Sequence, residues 1–261
     1  MIKNVLLDAD GVLIYGDKKI PGADKTIEFL EKNGYNYLVV TNVSRYTSRE
    51  LSKIFLGQGI KIPLEKIAGP VEATIGFIKS KKRNPKCFLI GSTQVKKEFR
   101  KAGIKITEKE EKIDFVVVFL HKETNYHTLD IAFRLLLNGA ELVTSSMSKT
   151  FPEKKGKLAM GTGPFVKGLE FCSGKKAHVI GKPSKEFFET ALKKLGATTE
   201  TTLMVGDTLD SDILGAKNTG IKAVLVKTGN FRQEALEKSV LKPDYVIESV
   251  ADLPALLGEL K

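Results

Sequence analysis

Six times along this chain a helical stretch closes at a glycine and an apolar run follows. The glycines are Gly34, Gly59, Gly103, Gly139, Gly196 and Gly220. A glycine just past the last helical turn accepts the left-handed conformation that ends a helix. A helix that leads at once into an apolar run is the pattern of α/β units with parallel sheets. The spacing predicts buried strands over 5–7, 37–40, 202–205 and 222–226, with a short one over 245–247. It predicts helices over 23–33, 48–58, 211–219 and 251–260. No solenoid-type repeat and no long low-complexity tract interrupts the alternation.

The middle of the chain keeps the alternation but differs in charge. The chain carries 42 Lys+Arg and 31 Asp+Glu, a formal net charge of +11. Residues 79–178 hold 21 basic and 10 acidic residues, so 21 − 10 = +11, and the flanks together come to zero. Within this block the pattern predicts strands over 87–90, 115–120 and 141–144 and helices over 93–102 and 126–138. Residues 79–85 (KSKKRNP) and 174–176 (GKK) read as solvated linkers into and out of the block. The simplest account is a compact insertion, 84–177, in a neutral core domain made of 1–83 and 178–261. Surface lysines serve solubility or attract phosphorylated and polyanionic partners, and composition alone leaves both open. The chain has neither the aromatic-plus-basic motif of an RNA-binding sheet nor a zinc finger, so no nucleic-acid partner is expected.

At 261 residues and 42% hydrophobic, the chain is long and apolar enough to bury a substantial core. No apolar run approaches the ~20 residues of a membrane-spanning helix. The first apolar stretch, Val5-Leu6-Leu7, stops at Asp8, so neither a membrane anchor nor a secretory leader is expected. Two isolated cysteines, Cys87 and Cys172, suit neither a disulfide scaffold nor a zinc cluster. Both are expected to be reduced and buried in a cytoplasmic protein. His121, His127 and His178 are scattered and form no metal-ligand pattern.

Four short motifs each follow an apolar run. Asp8-Ala9-Asp10-Gly11 follows 5–7. Two carboxylates past the C-terminal end of a buried strand lie where open α/β sheets bind ligands. They suit a hard cation such as Mg²⁺, and Gly11 lets the backbone turn its N–H groups toward an anion. An acidic turn is the plainer reading. Thr41-Asn42 follows 37–40 and offers a hydroxyl and an amide to phosphate oxygens, or caps a helix. Gly181-Lys182-Pro183 follows Val179-Ile180; its ammonium either neutralises phosphate and a carboxylate or is an ordinary surface charge. Gly206-Asp207-Thr208-Leu209-Asp210-Ser211-Asp212 follows 202–205. A helix N-terminus enriched in acids accounts for Asp210 and Asp212 but poorly for Asp207.

The order of these motifs resembles the haloacid dehalogenase (HAD) superfamily of phosphohydrolases. DADGVL resembles its first motif, Thr41 its second, Lys182 its third and GDTLDSD its fourth. The gap of 182 − 41 = 141 residues leaves room for an inserted cap. VTNVS, VIGKPS and LMVGDTLDSDI resemble the NagD-like, type IIA branch. AFRLLLNGAELV and GPFVKGLEF resemble the phospholysine phosphohistidine inorganic pyrophosphate phosphatase subgroup within it. The resemblance implies a Rossmann-like, doubly wound parallel-sheet core with an inserted α/β cap of C2 type. It implies a Mg²⁺-dependent phosphohydrolase for small phosphate monoesters, with phosphoamidates or pyrophosphate as the alternative. It allows a homodimer through the cap.

Carried over residue by residue, Asp8 is the nucleophile that forms an aspartyl-phosphate and Asp10 the general acid and base. Mg²⁺ is held by Asp8, the Asp10 backbone carbonyl and Asp207, with Asp212 outside this set, orienting it or reaching the ion through water. Thr41, Asn42, Gly11 and Lys182 hold the phosphate, and Lys182 stabilises transition-state charge. An acid at position 10 favours phosphoryl chemistry over dehalogenation. A phosphorylated receiver domain would be about half this long, and a non-catalytic HAD-fold binding protein is not suggested by four intact motifs. The insertion departs from the branch. Its TNxDxxxP-like run reads Ser145-Ser146-Met147-Ser148-Lys149-Thr150-Phe151-Pro152, with Ser146 and Ser148 at the Asn and Asp positions, and His121 stands where an aspartate is frequent. His121 is a substrate contact or a strand-end residue. Gly161-Thr162-Gly163-Pro164 is a close-approach loop or a helix cap. Lys149, Lys154, Lys155 and Lys157 flank the run and are the candidates for attracting anionic substrates.

Overall fold

The computed structural model of the chain describes residues 1–16, 18–152 and 157–260, so Lys154 and Lys155 lie outside the described residues. It divides into two compact units, one of residues 1–41, 48–68 and 182–261 and one of residues 42–47 and 69–181.

The first unit is built on six parallel strands. In chain order these are Asn4–Leu7, Asn36–Val40, Ile67–Ala68, Thr202–Gly206, Lys222–Val226 and Tyr245–Ile247. Their order across the sheet, counted along the chain, is 6-5-4-1-2-3, the doubly wound order. Every residue of Asn4–Leu7 and of Thr202–Gly206 is buried, so both faces of the sheet centre are covered. Helices Ala23–Lys32 and Leu253–Glu259 pack as one pair, Lys185–Leu195 and Leu214–Thr219 as another. The helix expected over 211–219 starts differently. Its first turn, Leu209–Ile213, is a π-helical turn in which the Ile213 N–H reaches the Thr208 carbonyl, five residues back. Such turns redirect side chains, and this one returns the Asp212 carboxylate to the Thr208 N–H at 3.1 Å.

The second unit repeats the architecture with five parallel strands: Lys86–Ile90, Lys105–Thr107, Phe115–Val118, Glu141–Thr144 and His178–Val179. Counted along the chain their order is 5-4-3-1-2. Side chains alternate between two cores, as period-two strands require. Phe88, Ile90, Val116, Val118 and Leu142 meet helices Tyr126–Leu137 and Gly163–Ser173. Cys87, Leu89, Phe115, Val117 and Val143 meet helices Pro70–Lys81 and Thr93–Lys101.

The unit boundaries fall at 68/69 and 181/182, not at the expected 83/84 and 177/178. Residues 79–81, expected in a linker, are the last turn of helix Pro70–Lys81, whose Val71 and Ile78 are buried against Cys87 and Leu89. At the other end His178–Val179 pairs with Val143–Thr144, beyond the expected linker at 174–176. Burial, not local charge, sets both limits. Cys87 is buried, and burial with Asp114 nearby pushes its thiol up to about 12. Cys172 is exposed, contrary to expectation, because helix Gly163–Ser173 turns Val166 and Leu169 inward instead. All six helix-ending glycines have positive φ, from 63° to 100°. Among the described residues no helix is long and apolar enough to cross a membrane.

Candidate active site

The doubly wound order decides where the acids meet. Asn4–Leu7 and Thr202–Gly206 are neighbours in register, Leu7 opposite Val205, and they flank the point where the strand order reverses. Loops leave in opposite directions there, opening a crevice at the strands' C-terminal ends. Asp8 and Asp207 are the first residues past those ends. Asp8 extends the ladder by one bond, its N–H donating to the Val205 carbonyl at 2.9 Å. Thr41 follows the strand on the other side, Asn36–Val40, and is buried, its N–H donating to the Ala68 carbonyl at 3.3 Å.

Lys182 enters this crevice from its edge. Its ammonium lies 2.7 Å from Asp8 Oδ1 and 2.6 Å from Asp212 Oδ1, and the residue is 2% exposed. A buried lysine persists only when its charge is paired, and two carboxylates pair it here. Oxygens of Asp8, Asp207 and Asp212 lie within 4.8 Å of one another, all three residues buried. The motif pattern places Asp212 outside the ion's ligands; the π-helical turn brings it into the cluster.

The electrostatics follow from burial. Removal from water raises Asp8 well above the usual carboxylate range; Lys182 opposes this, and Asp212 and Asp207 add to it. Burial, with Asp212 next to it, raises Asp207 to about 7, against its hydrogen bonds from Asn230 and Thr208. For Lys182, burial pulls downward, but Asp212 and Asp8 outweigh it and the ammonium stays above its ordinary value. With all groups ionised, three carboxylates and one ammonium leave two negative charges in a buried space. A divalent cation with oxygen ligands offsets that excess, so the residues fit a Mg²⁺ ion.

Gly11 closes the first motif. Its φ is 85°, its N–H donates to the Ile14 carbonyl at 2.6 Å, and a Cβ there would overlap the Asp207 carboxylate. Asp10 is half-buried and bridges to Ile14, its side chain outside the three-carboxylate group. Sequence reading missed the loop after strand Lys222–Val226. Thr228 Oγ1 donates to the Gly11 carbonyl. The Asn230 N–H and Nδ2 both donate to Asp207 Oδ2, at 2.7 and 3.0 Å. The available signal was a polar Thr-Gly-Asn run past the end of a buried strand.

The remaining predicted residues belong to the second unit. Asn42 packs against Gly181, where a Cβ would overlap Asn42 Oδ1 and the Ser145 carbonyl. Ser146 and Ser148 bond each other, hydroxyl to hydroxyl at 2.7 Å. His121, half-exposed, lies 3.8 Å from Glu123. The 161–164 loop does two things: it starts helix Gly163–Ser173, and Gly161 and Gly163 lie against the backbone of residues 147–149. Lys149 and Lys157 are exposed.

Comparison with known proteins agrees with this geometry. Residues 5–105 match the haloacid dehalogenase-like hydrolase family, and residues 179–253 a HAD-hydrolase-like family. The dihydroxyacetone phosphatase of Corynebacterium glutamicum is 32% identical over 95% of this chain and 89% of its own. The ribonucleotide monophosphatase NagD of Escherichia coli is 28% identical over 98% of this chain and 99% of its own. The solved NagD structure superimposes with a TM-score of 0.86, covering 96% of this chain and 98% of that one. The 4-nitrophenylphosphatase of Thermotoga maritima superimposes with a TM-score of 0.90, at 29% identity and 97% coverage of both chains.

Proposed function

We propose a mechanism and a substrate class for this chain from one premise: it belongs to the NagD-like branch of the haloacid dehalogenase superfamily and is a phosphatase. The substrates are small phosphate monoesters. The observation that carries the reading is the buried Asp8–Lys182–Asp212 chain of ion pairs, with Asp207 beside it, at the switch point of the sheet.

Asp8 attacks phosphorus in line; the Oδ–P bond forms as the bond to the leaving oxygen breaks, giving an aspartyl-phosphate. Asp10 delivers a proton to the leaving oxygen and then takes one from the water that cleaves the intermediate. Lys182, fixed on Asp8 before substrate arrives, needs no reorganisation to oppose the charge gathering on the phosphoryl oxygens. Thr41 and the main chain around Asp10–Gly11 hold those oxygens, and the motif assigns Asn42 to the same role. Asp8, Asp207 and the Asp10 carbonyl hold Mg²⁺, with Asp212 now a candidate ligand as well. When bound, the ion offsets the repulsion between an anionic nucleophile and an anionic ester.

We read the second unit as a C2-type cap. The reading includes a cytoplasmic location and association through that unit, tested by fractionation and sedimentation velocity. The catalytic core of the proposal is tested with p-nitrophenyl phosphate, then with triose, sugar and ribonucleotide monophosphates, each with and without Mg²⁺. Turnover that needs Mg²⁺ and stops in EDTA is expected; full activity in EDTA refutes the metal assignment.

A further inference from the structure

The loop after strand Lys222–Val226 does more than fill space beside the acids. A carboxylate has about four lone-pair sites. On Asp207, Oδ2 receives two donors from one residue, the Asn230 main-chain N–H at 2.7 Å and its Nδ2 at 3.0 Å. Oδ1 receives the Thr208 hydroxyl at 2.8 Å. Among the described residues this occupies three of the four sites and leaves one, on Oδ1.

The side chain is also walled in. Gly229 has φ 66°, and a Cβ there would overlap both Asp207 Oδ2 and Gly11 Cα. A Cβ on Gly11 would overlap the same carboxylate from the other side. Thr228 ties the loop to the Gly11 carbonyl, so the walls move together. Asp207 therefore has neither a second free lone pair on Oδ2 nor room to turn one outward.

Mg²⁺ and Ca²⁺ differ in what they ask of a carboxylate. Mg²⁺ requires a small octahedral set, whereas Ca²⁺ takes six to eight oxygens and accepts bidentate carboxylates. We infer that Asn230 is a positioning residue that, together with Thr208, holds Asp207 to one available oxygen and so sets the site's preference for Mg²⁺ over Ca²⁺. The inference rests on the Mg²⁺ reading above and adds the residue that makes the site selective. Asn230 acts through the Asp207 carboxylate, to which both its donors are bound.

The test is titration calorimetry of the full chain with MgCl₂ and with CaCl₂, with no substrate present. Asn230→Ala frees one site on Oδ2 and keeps the main-chain donor. Thr208→Val frees one on Oδ1 and is read in parallel, so the test stands if the first variant does not fold. In each, the ratio Kd(Ca²⁺)/Kd(Mg²⁺) is expected to fall about 10-fold from its wild-type value, the scale on which residues behind metal ligands act. A merely structural role weakens both ions by the same factor; an unchanged ratio in both folded variants overturns the inference and leaves the Mg²⁺ reading standing. A wild-type chain that binds neither ion overturns that reading, and this inference with it.

Discussion

The two units are two solutions of one architecture. Each is a parallel sheet with a reversal in its strand order, which opens a crevice at the strands' C-terminal ends. In the first unit the residues past those ends are Asp8 and Asp207. In the second, Lys86–Ile90 and Phe115–Val118 flank the reversal and lead into Gly91 and Phe119. A Cβ on Gly91 would press on Leu89 and approach Phe119, whose ring packs edge-on to Phe99 at 5.9 Å. One pair of strand ends leads into buried charge, the other into a glycine and a buried aromatic ring. Charge balance is reversed on the larger scale. Within the structural boundaries the second unit holds 22 − 11 = +11 and the first 20 − 20 = 0. The neutral unit buries four charged residues, Asp8, Lys182, Asp207 and Asp212, where each counts strongly, whereas most lysines of the basic unit are solvated and screened. A fold supplies the crevice; the residues beyond the strand ends decide whether it does chemistry.

The largest effect that would break this contrast is on turnover. Asp8→Asn is expected to cut kcat by about 10⁴-fold or more, the scale for losing a nucleophile. One residue beyond the matching place in the second unit, Ser92 caps helix Thr93–Lys101 by accepting the Val95 N–H. Ser92→Ala is expected to cost about 1 kcal/mol of stability and to leave kcat as it is. Steady-state kinetics and urea unfolding measure the pair; a turnover loss in Ser92→Ala comparable to that in Asp8→Asn would erase the distinction.

Lys182→Met is next. It strips the paired cation from Asp8 and Asp212 and is expected to cost about 3–5 kcal/mol at neutral pH. The deficit should shrink in acid. The Asp8 carboxyl, already raised by burial, then loses the cation that holds it down, so the native state gains as pH falls and it protonates. Urea midpoints at pH 5 and pH 8 measure this, and an equal deficit at both would show that Lys182 does not neutralise the cluster.

Proton linkage at the proposed metal site gives a smaller effect. Burial, with Asp212 beside it, pushes Asp207 up to about 7, and burial raises Asp8 as well. Ion-free stability attached to these groups is therefore full below the ordinary carboxylate range and is lost as pH rises through about 7. Mg²⁺ competes with those protons, so its affinity should rise with pH up to that point, with protons released on binding. Calorimetry at pH 6 in two buffers of different ionisation enthalpy reads the release directly, and identical heats in both would contradict it.

Salt dependence should show the smallest effect and bears on the second unit. If its excess charge steers substrate, kcat/KM for a multiply charged ester falls with salt more steeply than for p-nitrophenyl phosphate. The Debye length shortens from ~10 Å at 0.1 M to ~3 Å at 1 M. Equal slopes, unchanged in Lys149→Ala/Lys157→Ala, would assign these lysines to solubility alone.

What the sequence by itself determined was local. Helix-ending glycines and apolar runs marked most strands and helices, because those signals act within a few residues. The acid and hydroxyl motifs were legible because each directly follows a buried strand, whereas Lys182 follows the short, half-exposed strand His178–Val179. Tertiary structure decided what depends on residues distant in sequence. The unit limits moved to 68/69 and 181/182 because Val71, Ile78 and the 178–179 strand are buried with the second unit. Asp212 joined the cluster because a π-helical turn, not an α-helical one, follows Thr208. Asn230 came to Asp207 because strands 202–206 and 222–226 are neighbours, and no spacing of the motifs encodes that adjacency. Local free energies set the elements; hydrogen bonds and burial between them set the one arrangement in which buried charges are paired.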